Sequence, residues 1–173
     1  MSVLDVIRSR REITSFQEKK IPRELLDQIV DAAYYAPSGN NLASREFIVI
    51  ENREKLNHLE KTTPFMKWMA TAQAAIVVTG RPDISKYWLQ DASIATAFIW
   101  LTAADLQLGV GFGAVYHSED AEESRIRETY AREALNIPSD RRIVAILGLG
   151  FPIEKPQAKK MLERNDIVFY ETF

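Results

Sequence analysis

The 173-residue chain contains no cysteine. Disulfides, cysteine-ligated zinc and thiol catalysis are therefore excluded. Histidine is almost as scarce, with only His58 and His117. A histidine-based metal site is not expected, and neither imidazole stands in a triad context. No apolar run is long: the longest, Ala92 to Ala104, has 13 residues, short of the ~20 that span a bilayer. The first residues, MSVLDVIRSRR, lack the apolar centre of a secretion signal. Neither charge sign dominates, since Lys and Arg number 22 against 24 Asp and Glu. That balance argues against a generic nucleic-acid binder. Repeats, low-complexity tracts and linkers are also missing. The expectation is one cytoplasmic, soluble domain over residues 1–173, long enough to bury a core, with neither a membrane nor a nucleic-acid partner.

What is present alternates helix and strand signals. Ser2 and Asp5 read as a capping box opening a short helix. Leu25, Leu26, Ile29, Val30, Ala33 and Tyr34 recur at helical spacing, with Pro22 at the first turn and Pro37 as the stop. EFIVIE then reads as a strand. Residues 53–72 read as two short helices split at Pro64. AAIVVTG and RIVAILGLGFP are continuous apolar runs, expected as strands buried on both faces. Residues 85–108 predict a long helix, apolar on most sides and hence buried in a core or between subunits, with Gly109 as its C-cap. A charged amphipathic helix ends before Pro138. The apolar tail IVFYETF predicts a strand-like piece that docks on a partner, because left open it would be an aggregation-prone edge. Strict βαβ alternation is absent, which favours α+β.

Several stretches carry candidate chemistry. Arg8, Arg10 and Arg11 close the first helix. They suit either its free carbonyls and dipole or a phosphate, whose oxygens match the arginine fork. Lys159 and Lys160 pose the same choice. Ser38, Gly39, Asn40 and Asn41 crowd donors into one turn, which suits a tight turn or a ligand. Ser38 lacks the G-x-S-x-G frame of a nucleophile. GVGFG, at 109–113, follows a helix rather than a strand, so it is not a dinucleotide loop; Gly111 and Gly113 nevertheless leave room for a flat ligand to approach the backbone. Lys67 reads as surface charge, and Asp91, within an apolar helix, as a capping or network residue.

In order and spacing these pieces resemble the FMN-dependent nitroreductase family over nearly the whole chain, closest to its short, single-domain members. The resemblance rests on Ser9-Arg10-Arg11 with Phe16, AAYYAPSGNN, EFIVI, AAIVVTG, the 87–111 helix, AVYH, LNIP, LGLGFP and the terminal IVFYE. It implies an α+β fold with a central, mostly antiparallel sheet surrounded by helices, and a homodimer whose C-terminal extension is swapped onto the partner. FMN would sit between subunits, with NADPH or NADH as reductant. By implication Arg10 and Arg11 contact the flavin phosphate and ribityl chain, and Lys160, with Lys159, completes the phosphate site. Lys67 lies near the pyrimidine edge. Pro37, Ser38, Gly39 and Asn41 reach the flavin from the partner subunit, and the Gly113–Ala114 segment presents a backbone amide to N5. The implied reaction is ping-pong hydride transfer through N5 to a nitroaromatic, quinone or related small acceptor, with no side-chain acid or base and no metal required.

The chain departs from the family pattern at Glu12, where Ser is usual, and at Thr14, where a basic residue is common. Both make the cofactor-binding site less electropositive. LASR follows Asn41 where Gln-Pro-Trp-like residues are usual, putting Arg45 at the substrate mouth and suggesting anionic acceptors. Two other functions compete: a flavin-binding protein of this fold with little turnover, and a relative that reduces an activated double bond.

Overall fold

The computed structural model describes residues 2–154 and 156–173. Its centre is a four-stranded sheet made of β1 (Arg45–Ile50), β2 (Ala74–Gly80), β3 (Gly109–Ala114) and β4 (Arg142–Gly150), in the order β1-β2-β4-β3. Every neighbouring pair is antiparallel. Among the described residues five α-helices surround it: α1 (Val3–Ser9), α2 (Arg23–Tyr34), α3 (Arg53–Leu59), α4 (Trp88–Asp105) and α5 (Ala121–Leu135). This is the α+β arrangement anticipated, with β2 and β4 central.

The sheet is buried on both faces, as the apolar runs require. Strand side chains alternate sides, so Ala74, Ile76 and Val78 pack with α2 and α4 through Leu26, Ile29, Ala92 and Ile99. Ala75 and Val77 face the other way, onto Leu56, Leu59, Met69 and Ala131 of the α3 and α5 layer. Truncating Ile76 or Ile146, both fully buried, costs about 2–5 kcal/mol by lost transfer energy and the cavity left behind.

Local signals set most of the boundaries. Ser2 and Asp5 form the capping box of α1, and α2 stops at Tyr34, three residues before Pro37. The second helix expected after Pro64 is only a 3₁₀ turn, Lys67–Ala70. Gly109 is not a helix cap. α4 ends in a Schellman motif: Gln107 takes the left-handed conformation at φ 62°, its N–H donates to Ala104 O, and Leu108 N–H donates to Ala103 O. Gly109 opens β3 instead, where a Cβ would stand 2.7 Å from Ile13 Cβ. The tail forms no strand within its own chain. One 3₁₀ turn, Arg164–Asp166, interrupts it, and Met161, Leu162, Ile167, Phe169, Tyr170 and Phe173 are exposed. Among the described residues no helix is long and apolar enough to cross a membrane.

Candidate functional site

Two groups of the anticipated residues form, at opposite edges of the sheet. The first lies along edge strand β3. Arg10 is the C-cap of α1, and its guanidinium lies 4.4 Å above the Trp100 ring. Trp100 in turn stacks on Phe112 at 5.7 Å, with the ring planes nearly parallel. Arg11 holds three carbonyls: Nε donates to Gln157 O at 2.8 Å, and Nη1 to Arg8 O and Arg10 O at 2.8 and 2.7 Å. Of the two readings of the arginines, the helix-end carbonyl role is the one seen directly. Arg11 satisfies helix-end carbonyls and pins the 157 segment, while Arg10 is held flat on an aromatic face. A cleft of about 250 Å³ lies between them and Ile13, Leu108, Gly109 and Pro156. Lys159 and Lys160 are exposed two and three residues beyond the pinned Gln157 carbonyl.

Glu12 pairs with neither arginine. Its Oε1 accepts the Phe112 N–H at 3.3 Å, and Ile13 N–H donates to Val110 O at 2.9 Å. Both contacts lie on the open side of β3. By strand alternation the Ala114 N–H turns to that same side, and Ala114 O accepts Arg127 Nη1 at 3.1 Å. Ala114 is exposed and Gly113 buried. Thr14 is exposed, in a shallow groove with Glu154 and Pro156.

The β3 glycines have a packing role that the sequence did not show. A Cβ at Gly111 would stand 2.7 Å from Trp68 Cε3, and one at Gly113 would collide with Met66 Sδ. The place of each Cβ is filled by the chain's own 66–68 segment. This packing sets the 3₁₀ turn against β3 and places exposed Lys67 beside it.

The second group is the 37–45 turn, at the β1 edge. Pro37 is exposed. Ser38 Oγ donates to Leu42 O at 2.8 Å, so the serine is engaged as a turn former. Gly39 N–H donates to Asp91 Oδ1 at 2.9 Å, and Ser44 Oγ to Asp91 Oδ2 at 2.5 Å. Asn40 and Asn41 both have φ 56° and are exposed; asparagine tolerates that left-handed conformation better than most residues. Arg45 lines a cleft with Tyr34, Tyr35, Pro37 and Asn41. It donates to Leu42 O at 3.2 Å and to Ala36 O, bracing the turn from within.

Sequence reasoning did not foresee the Arg10–Trp100–Phe112 stack or the partners of Asp91. The spacing of Trp100 marked only a helix, and the polar Asp91 within an apolar helix was the one usable signal.

These features fit known proteins. The sequence profile of the nitroreductase family matches residues 7–64. A protein of Methanothermobacter thermautotrophicus, provisionally named NADH dehydrogenase/NAD(P)H nitroreductase, is 34% identical over 170 residues, covering 96% of this chain and 86% of its own. The structure of an FMN-dependent nitroreductase from Clostridium difficile superposes with a TM-score of 0.89 at 30% identity, covering 98% of this chain and 99% of that one. An NADPH:FMN oxidoreductase from Vibrio harveyi shares the fold at a TM-score of 0.84 and 18% identity, covering 99% and 77%. On the identity and coverage of these relatives, the chain belongs to the nitroreductase family.

Proposed function

We propose that the chain is an FMN-dependent NAD(P)H oxidoreductase of a single domain, acting as a homodimer on nitroaromatic, quinone or related small acceptors. The observation that carries the reading is the division of the site. The basic residues, Lys67 and the open Ala114 amide gather at the β3 edge, and the Ser-Gly-Asn-Asn turn stands at the β1 edge. Three strand spacings, about 14 Å of packed sheet, separate them within one chain. In a two-fold dimer each β3 edge can meet the turn of the other subunit. Exposed Val3, Leu4 and Ile7 on α1, and Ile94 and Phe98 one turn apart on α4, form the apolar surface such a dimer would bury. The exposed tail is a second element that a partner would cover.

The residues present suit FMN. Arg10, with Lys159 and Lys160, would neutralise the phosphate, and Arg11 would hold the 157 segment in place beside them. Lys67 would offset negative charge at the pyrimidine edge. The Ala114 N–H would donate to the ring, and the partner's 37–41 turn would close over it. The flavin, when bound, supplies the two-electron exchange between reductant and acceptor; the protein orients and shields it.

Glu12 favours a second reading, a flavin-holding protein with little turnover, because its carboxylate adds negative charge beside the arginines. The visible spectrum of the purified protein decides. Yellow protein that bleaches anaerobically with NADPH or NADH and recovers with a quinone supports the enzyme. Yellow protein that does not bleach supports the second reading, and protein that takes up no FMN refutes both.

A further inference from the structure

Asp91 lies in the first turn of α4 and is 3% exposed. Burying a carboxylate is costly unless its oxygens are matched, and both are. One takes the Gly39 amide and the other the Ser44 hydroxyl, bracketing the left-handed pair Asn40 and Asn41. Tyr87, one turn earlier on the same helix, closes the back of the turn: a Cβ on Gly39 would meet its Cδ2 at 2.7 Å. Arg45 takes the Ala36 and Leu42 carbonyls on either side, even though its own Nε is buried without a partner. A solvent-facing turn with two positive-φ residues persists in one shape only when its surroundings over-determine it. Here a buried carboxyl group and an unsatisfied donor are both accepted to fix that shape, although the turn itself contributes little to the core.

We propose that Asp91 is a positioning residue for cofactor binding. It presets the 38–42 turn in the free protein so that the turn's exposed groups meet the flavin held by the other subunit without reordering. The inference rests on the flavin reading above. It assigns a task to a side chain that touches no ligand, since Asp91 acts only through Gly39 and Ser44.

The test compares Asp91→Ala, Asp91→Asn and Ser44→Ala with the wild type. The dissociation constant for FMN is read from quenching of flavin fluorescence. Hydrogen exchange of the 36–44 segment is read in the FMN-free protein. Alanine leaves the Gly39 amide unpaired. Asparagine can still accept from that amide and donate to the Ser44 hydroxyl. The expected order is FMN binding weaker by about tenfold or more for Asp91→Ala, by a few-fold for Ser44→Ala, and near wild type for Asp91→Asn. Exchange of the segment should speed up in the same order. A merely structural aspartate would lower the melting temperature and leave the dissociation constant of the folded protein unchanged, and that result overturns the proposal. If Asp91→Ala does not fold, Ser44→Ala decides: wild-type affinity and exchange there overturn it equally. Wild-type protein that binds no FMN removes the flavin reading itself, and this proposal with it.

Discussion

Replacing Glu128 by alanine should destabilise the protein by about 3 kcal/mol. The side chain is 4% exposed, in the middle of α5. Its carboxylate accepts Arg142 Nε at 2.9 Å, Arg142 Nη2 at 2.8 Å and the Ile143 N–H at 2.7 Å, fastening α5 to the start of β4. Freeing the buried Ile143 amide costs about 1–3 kcal/mol. Arg142 loses its partner, and that partner is what raises its pKa above the ordinary arginine value. The arginine side chain is 34% exposed and lies 4.7 Å over the Tyr116 ring, so its share is at the small end, about 1 kcal/mol. The sum falls near the lower limit of the ~3–5 kcal/mol typical for breaking a buried pair from one side. For a chain of this length each kcal/mol moves Tm by about 2–4 °C, so a fall of about 6–12 °C is expected. Thermal melts followed by circular dichroism, at fixed protein concentration because a dimer couples to it, provide the assay. Glu128→Gln keeps an oxygen for the Ile143 amide and should recover roughly half of the loss. A shift below about 2 °C for the alanine variant would refute the reasoning, since the carboxylate would then hold nothing that matters.

Three further outcomes follow from the site and the surface. Glu12→Ser removes an anion beside Arg10 and Arg11 and releases the Phe112 amide, so FMN binding should tighten roughly three- to tenfold; an unchanged affinity in a fluorescence titration would show that this carboxylate does not bear on the site. Replacing Lys159 and Lys160 together by Gln should weaken FMN binding a few-fold and flatten its dependence on salt, whereas an unaltered salt slope would mark them as solvated charges only. Asp83, Asp140 and Glu122 are held below their ordinary values of 3.8 and 4.5 chiefly by hydrogen bonds from Arg81, Arg141 and Arg125. Asp5 is held low by Ser2. A depressed carboxylate favours folding when ionised, a contribution present above the ordinary pKa and lost as pH falls through the folded one. Melting temperature should therefore be level near neutrality and decline below about pH 4.5; a rise on acidification would contradict the assignment.

Much of the fold was legible because it is written locally. Strand periodicity and unbroken apolar runs marked β2 and β4 as doubly covered, the Ser2–Asp5 pair marked the start of α1, and Pro37 marked the end of α2. The basic residues and the Ser-Gly-Asn-Asn turn stood out for the same reason: their chemistry is contained in a few adjacent positions. The errors occurred where a distant side chain decides what a residue is for. Gly109 looked like a helix cap until Ile13 was seen to fill the place of its Cβ, while Gln107, with no sequence flag, turned the corner. Gly111 and Gly113 stood out only as glycines, and the packing of Trp68 and Met66 against them was not legible.

The sequence by itself determined most of the helices, the central strands β2 and β4, the absence of thiol chemistry and the pieces that resemble a flavin site, because each depends on the period of apolar residues or on the chemistry of neighbours in the chain. Only the tertiary structure decided that those pieces divide between opposite edges of one sheet, that Glu12 seeks a backbone amide rather than an arginine, and that Asp91 reaches back 52 positions to Gly39. Strand order and helix packing set which distant residues meet, and no local pattern of side chains records that order.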